Sequence, residues 1–245
     1  MKRLLVFILI GLVSHNISKA QSSLNSTNPL DGYYEKNFGR TIVKGFYRNG
    51  KRDGVWSTYL STGTLVSLDS YKDGLKNGPT LKFTRDGVLV FQEFYLNDTI
   101  DGVALKYTPE GKLLSDINYS KGKINGRKTL YYEKGNVQED SYYENGLKEG
   151  ESKWYNRDGV LVAEYNYKNG LFDGCQVYFY NDGSMWSKKC FVENKAEGEY
   201  VDYYENGKVH SIGQYKDDEK IGVWKEFDEK GKLISSKKYK KKRKK

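Results

Sequence analysis

Glycine recurs every 24 residues along most of this chain, and that period constrains the fold more than any other feature. Counting an opening glycine as position 0, Gly54, Gly78, Gly102, Gly126, Gly150, Gly174, Gly198 and Gly222 open eight units with no insertion between them. Gly63, Gly87, Gly111, Gly135, Gly159, Gly183, Gly207 and Gly231 stand at position 9 of the same units. So strict a period marks a stack of identical supersecondary units, each burying its apolar residues against its neighbours. Position 5 is a ring throughout: Tyr59, Phe83, Tyr107, Tyr131, Tyr155, Phe179, Tyr203 and Phe227. Position 17 is another ring, from Tyr71 through Phe191 to Tyr239, and position 11 is aliphatic, from Leu65 to Leu233. A worn unit at residues 31–53 precedes these, recognisable by Gly39, Tyr47 and Gly50, with Glu35 where its first ring belongs.

Each unit reads as a β-hairpin. The run after the second glycine closes at pairs such as Asp73-Gly74, Asn145-Gly146 and Asn169-Gly170, which supply the positive backbone angles that tight hairpin turns need. Helical arms would need apolar residues at three- and four-residue spacing, and these runs lack them. Composition agrees: Tyr 22, Phe 10, Trp 4 and 26 Gly within a chain only 37% hydrophobic suit short strands and glycine turns, and are too aromatic for disorder. The predicted fold is all-β, an elongated, twisted, single-layer antiparallel meander of 24-residue hairpins. Two strands per unit at about 4.8 Å spacing give a sheet roughly 75 Å long.

Facing follows from the turn. A two-residue turn at Asp158-Gly159 would set Tyr155 and Leu161 on opposite faces, whereas a three-residue loop with a left-handed glycine pairs them on one. The ring, aliphatic, ring pattern favours the second and predicts a shared face for positions 1, 3, 5, 11 and 17. Tyr155 is then expected to carry more stability than Trp154, whose equivalents Thr58, Lys82, Lys106 and Asp202 are mostly polar.

The pattern of glycine, tryptophan, ring, glycine, leucine, tyrosine and glycine in Gly54, Trp56, Tyr59, Gly63, Leu65, Tyr71 and Gly74 resembles the bacterial MORN-variant repeat, the YwqK-type antitoxin repeat family. Gly222, Trp224, Phe227, Gly231, Leu233 and Tyr239 follow it nearly as well. The resemblance covers residues 54–240 and, through the worn unit, reaches back to 31. It implies repeated hairpins and no catalytic residue. Departures are Asp98, Asn194 and Asp218 at the turn glycine and Thr80, Ala104, Lys128, Ser152 and Gln176 at the tryptophan; both sets are expected to loosen individual units without touching the period.

Motifs that carry chemistry are missing. After residue 20 one histidine remains, His210, in a column otherwise filled by residues such as Val66, Val90 and Val162, so histidine triads and zinc sites lack partners. No phosphate loop or calcium loop is present, and Asp86, Asp158 and Asp182 are explained by the turn glycines that follow them. No cofactor or metal is expected, and the chain reads as non-enzymatic. Cys175 and Cys190 fall at positions 1 and 16 of one unit. A two-residue turn would set them opposite one another and the bulged loop would set them on opposite faces, which leaves a disulfide open.

The ends dominate the charge. Residues 1–20 read as a signal peptide, with Lys2 and Arg3, ten apolar residues from Leu4 to Val13, and small residues at Ser18 and Ala20. The run is too short to span a membrane. The final ten residues, SKKYKKKRKK, carry eight Lys/Arg and no acid, and the stretch between the ends is nearly neutral, which argues against a nucleic-acid groove. The mature chain is expected to be exported, periplasmic or extracellular, with a polar start at 21–30 and a basic tail, Lys241, Lys242, Arg243, Lys244 and Lys245. Lysines of the last strand guard a sheet edge, and the tail is expected to contact an anionic envelope surface. The body is expected to be a scaffold for a protein or glycan partner.

Overall fold

The computed structural model describes residues 31–240, so the expected signal peptide at 1–20, the polar start at 21–30 and the tail Lys241–Lys245 lie outside the described residues. Twenty strands, β1 (Gly32–Asn37) to β20 (Leu233–Tyr239), form one antiparallel sheet, and no helix occurs among the described residues. Each strand pairs with the next. β7 (Thr99–Ile100) and β8 (Gly102–Tyr107) are one strand broken at Asp101, as β14 (Leu171–Phe172) and β15 (Gly174–Phe179) are at Asp173. Every substantial contact between elements joins strands adjacent in this order, so among the described residues no second layer covers the sheet, and its stability comes from unit-to-unit contacts.

The turns are built as the glycines require. Leu60 donates its N–H to the Thr64 carbonyl at 2.8 Å, Gly63 donates back to the Leu60 carbonyl at 2.9 Å, and Gly63 has φ 93°. This is the three-residue bulged loop, and Tyr59 stands opposite Leu65. Position 6 secures it in either of two ways. Thr84, Thr108, Asn156 and Asp228 accept backbone N–H groups of their own turn, whereas the Tyr132, Tyr180 and Tyr204 hydroxyls donate to the carbonyls of Tyr155, Tyr203 and Phe227 in the next unit.

The opposite turns have two residues, as at Asp73 (φ 52°) and Gly74 (φ 88°). Asp98, Asn194 and Asp218 do not loosen their units as expected. Their φ values of 62°, 67° and 66° keep the left-handed turn, and each side-chain oxygen accepts an N–H from the preceding strand: Lys76 at 2.6 Å, Phe172 at 2.6 Å and Ala196 at 2.7 Å. A left-handed non-glycine costs about 1–2 kcal/mol, least for Asn and Asp, and the added hydrogen bond returns about 1 kcal/mol.

The predicted facing is wrong for one of its five positions. In every one of the eight units a second bulge sits at position 12 of the returning strand: Tyr155 pairs with Leu161, yet Trp154 pairs with Ala163, leaving Val162 as the extra residue. That extra residue reverses parity for the rest of the strand. Positions 5, 11, 3, 14, 1 and 16 share one face; positions 4, 13, 2, 15 and 17 share the other, so the second ring column lies on the tryptophan side. The bulge also resolves the cysteines. Cys175 stands opposite Cys190 and the two form a disulfide, although the bulged loop is present.

The worn unit also begins elsewhere than its spacing implied. Gly32 pairs with Tyr47 as Gly54 does with Tyr71, and the β1–β2 pairing, with β2 at Thr41–Arg48, has no bulge. The first hairpin is therefore two residues shorter than the others, Tyr34 occupies the tryptophan position, and Glu35 lies opposite Lys44 rather than in the ring column.

The tryptophan side is the better packed. It holds Trp56 (3% exposed), Thr80, Glu139, Ser141, Ser152, Ala163 and Trp224 (6%), against Thr129 and Val201 on the other. Trp154 lies tilted against Tyr165, ring centres 4.5 Å apart, and under the Lys148 ammonium at 4.5 Å. The expected order of the two mutants is accordingly reversed: Trp154→Ala should cost about 3 kcal/mol, the lower end for a half-buried ring of that size, and lower the urea midpoint more than Tyr155→Ala does. The opposite order would mean that the Tyr155 side carries the core.

Candidate functional site

Two aromatic clusters, seven units apart, are copies of one another. In the first, Trp56 lies 5.4 Å from Tyr34, 4.9 Å from Tyr47 and 6.4 Å from Tyr71, with the Arg52 guanidinium 4.4 Å from its ring. In the second, Trp224 lies 5.4 Å from Tyr200, 5.1 Å from Tyr215 and 6.4 Å from Tyr239, with the Lys220 ammonium 3.9 Å away. Each indole N–H donates to a backbone carbonyl of the preceding strand, Phe46 at 3.1 Å and Gln214 at 3.2 Å. Burial, with Asp202 adding to it, pushes the Tyr200 phenol up to about 12. Each indole also lies on a glycine, Gly45 or Gly213, where a methyl would come within 2.3 Å or 2.2 Å of the ring. Sequence reasoning missed both glycines because they fall outside the two periodic columns. Their signal was the repeated eleven-residue step, Gly45 to Trp56 and Gly213 to Trp224.

Between the clusters the same face carries an ion triad. Glu139, 7% exposed, accepts from Lys128 and Lys148 at 2.9 Å each and from the Ser141 hydroxyl at 2.9 Å. Burial pushes the Glu139 carboxyl up, but the hydrogen bonds from Lys128 and Lys148 outweigh it and hold the pKa below the usual carboxylate range. These groups hold one another and tie β10 (Lys123–Tyr131), β11 (Val137–Glu144) and β12 (Leu147–Tyr155) together across the sheet.

The ring column Tyr59, Phe83, Tyr107, Tyr131, Tyr155, Phe179, Tyr203 and Phe227 runs along the opposite face, each ring paired with its position 11 partner, as Tyr59 is with Leu65 and Phe227 with Leu233. It packs the hairpins, and Tyr107 also lines an open recess with Lys106, Pro109, Lys112 and Glu133. His210 is a bulge residue, with Nδ1 3.1 Å from Asp202 Oδ2 and its ring 4.7 Å from Tyr204. Among the described residues no group of three or more His, Cys, Asp or Glu is placed to hold a metal.

Along one margin the sheet presents exposed aliphatic side chains. Leu75, Leu147 and Leu171, 40–51% exposed, occupy position 21 beside the two-residue turns, and Leu96 and Val192, 53% and 51% exposed, occupy position 18 of theirs. These two positions pair across the turn, as Glu144 does with Leu147 and Lys168 with Leu171, so the five side chains line one long margin of the sheet. Contacts within the sheet leave them largely uncovered. A family model described as the MORN repeat variant matches residues 52–73, 100–121, 124–146, 148–169, 196–217 and 220–241, more than half of the chain. No curated protein matches it.

Proposed function

From the premise that this chain belongs to the MORN repeat variant family, we propose that it is a non-enzymatic, exported scaffold that binds a protein partner along its sheet. The observation that carries this reading is the margin of exposed aliphatic side chains at Leu75, Leu96, Leu147, Leu171 and Val192. Isolated exposed leucines need no explanation, but five aliphatic side chains on one margin, set among charged neighbours such as Lys72, Glu144 and Lys168, give apolar contacts within a polar rim of the kind that binding surfaces use. A glycan partner would instead stack on the open rings, among them Trp186 at 48% and Tyr142 at 52% exposed, and binding would then be lost on truncating those rings.

Export rests on the Met1–Ala20 pattern, and contact with an anionic envelope surface rests on Lys241–Lys245. A toxin partner, as the antitoxin label of similar repeats would have it, is one form of the same scaffold reading; the export pattern weighs against a cytoplasmic toxin. The test is capture from cell envelopes with the chain from Gln21 onward, with a Leu147→Asp/Leu171→Asp variant, and with a chain ending at Lys240. A partner of the margin is retained by the shortened chain and lost by the double variant. Equal capture by all three sinks the margin as the binding surface. Capture lost only on shortening, and then abolished by salt, would assign binding to the tail instead.

A further inference from the structure

The two open edges of the sheet fit one another in the phase of the repeat, and we propose that β1 of one copy pairs with β20 of the next, joining copies of this chain head to tail. Among the described residues, β1 and β20 each pair on one side only. Inside the sheet, each junction between units sets position 15 opposite position 2 of the next unit, as in Asp69 with Thr80, Ser141 with Ser152 and Lys189 with Tyr200. The same register carried past β20 sets Lys237 opposite Tyr34, Ser236 opposite Glu35 and Ser235 opposite Lys36.

The aromatic clusters support this register independently. At the second cluster Lys189, opposite Tyr200, holds its ammonium 4.4 Å from the Tyr215 ring. The first cluster repeats every member, with Tyr34 and Tyr47 at 5.4 Å, but no strand of the described residues precedes β1 to supply the lysine. Lys237 stands at the same position of the last unit as Lys189 does of its own and is exposed; its ammonium lies 5.1 Å from its own Tyr239 ring, as that of Lys189 lies 5.2 Å from Phe191. Docking β20 of one copy on β1 of the next supplies the missing cation over Tyr47. The two most exposed large apolar side chains, Ile234 (64%) and Phe38 (57%), also lie at these two edges.

Charge selects this pairing over its alternative. Two β20 strands brought together would bring Lys237 and Lys238 of one copy against those of the other, whereas β1 offers Glu35 and Lys36 and is neutral. The contact uses different surfaces on each copy, so it extends into a row unless the rotation closes a ring.

Sedimentation of the chain from Gln21 to Lys245, which contains the whole described sheet, tests the proposal. Mass should grow with concentration, and Lys237→Glu, a change at an exposed edge that leaves folding intact, should weaken association at least about tenfold. Register is read by mixing a Tyr34→Cys chain with a Lys237→Cys chain, with Lys238→Cys, which points to the other face, as the control. Crosslinking should favour 34 with 237. Single-chain mass at every concentration, association indifferent to Lys237→Glu, or equal yields from the two cysteine mixtures overturns the proposal.

Discussion

Gly213→Ala is expected to destabilise the C-terminal units by about 3 kcal/mol, the upper end of what one extra methyl costs in a packed site. The backbone at Gly213 is not left-handed, so the effect is one of space alone. The new methyl would lie 2.2 Å from Trp224 Cδ2 and Cε2 and 2.7 Å from Cγ. The ring has little freedom to retreat. Its N–H is bonded to the Gln214 carbonyl, Lys220 covers one face, and Tyr200 and Tyr215 flank it. Trp224→Ala should cost about 3–5 kcal/mol, as for other buried tryptophans. The double mutant separates this account from a general intolerance at 213: once the indole is gone, the methyl has room, so the two losses should fall well short of additivity. Gly45→Ala with Trp56 repeats the experiment at the other end. A Gly213→Ala chain whose urea transition matches the wild type would mean that the indole does not rest on that backbone.

This glycine and tryptophan pairing shows what the sequence made legible and what it hid. The period, the hairpins, the bulged loop at position 9 and the pairing of Tyr59 with Leu65 are written in residue types with local conformational consequences, and they could be read directly. The bulge at position 12 leaves no such mark. Val66, Val90, Leu114 and Val162 are ordinary strand residues, and an extra residue in a strand needs no special side chain, only a partner strand that omits one. Because side chains alternate, that single unmarked residue moved the whole position 17 column to the other face and brought Cys175 opposite Cys190. The same difficulty concealed the turns at Asp98, Asn194 and Asp218: loss of glycine is visible locally, but the compensating acceptor bond reaches a strand 22 residues upstream. The exposed margin was hidden for another reason. Positions 18 and 21 vary from lysine to leucine between units, so their burial, rather than their identity, distinguishes them.

Glu139→Gln is expected to cost about 3 kcal/mol, because it leaves the Lys128 and Lys148 ammonium groups facing one another with no anion between them, and breaking a mostly buried ion group costs about 3–5 kcal/mol. Their side chains are 18% and 21% exposed, which lets them turn partly toward water and places the loss at the lower end. The adjacent residue supplies the control. Asp140 pairs with Arg127 at 2.7 Å, but that arginine is 66% exposed, and Asp140→Asn should cost under about 1 kcal/mol. The two also differ with pH. The folded-state pKa of Glu139 lies below its unfolded value, so its contribution is fully present above the ordinary glutamate pKa of about 4.3 and is lost as pH falls through the folded value. Wild type and Glu139→Gln should therefore differ most near neutrality and converge in acid. A difference that persists unchanged below about pH 3 would assign the loss to packing at position 139, and the triad would then contribute nothing through its charge.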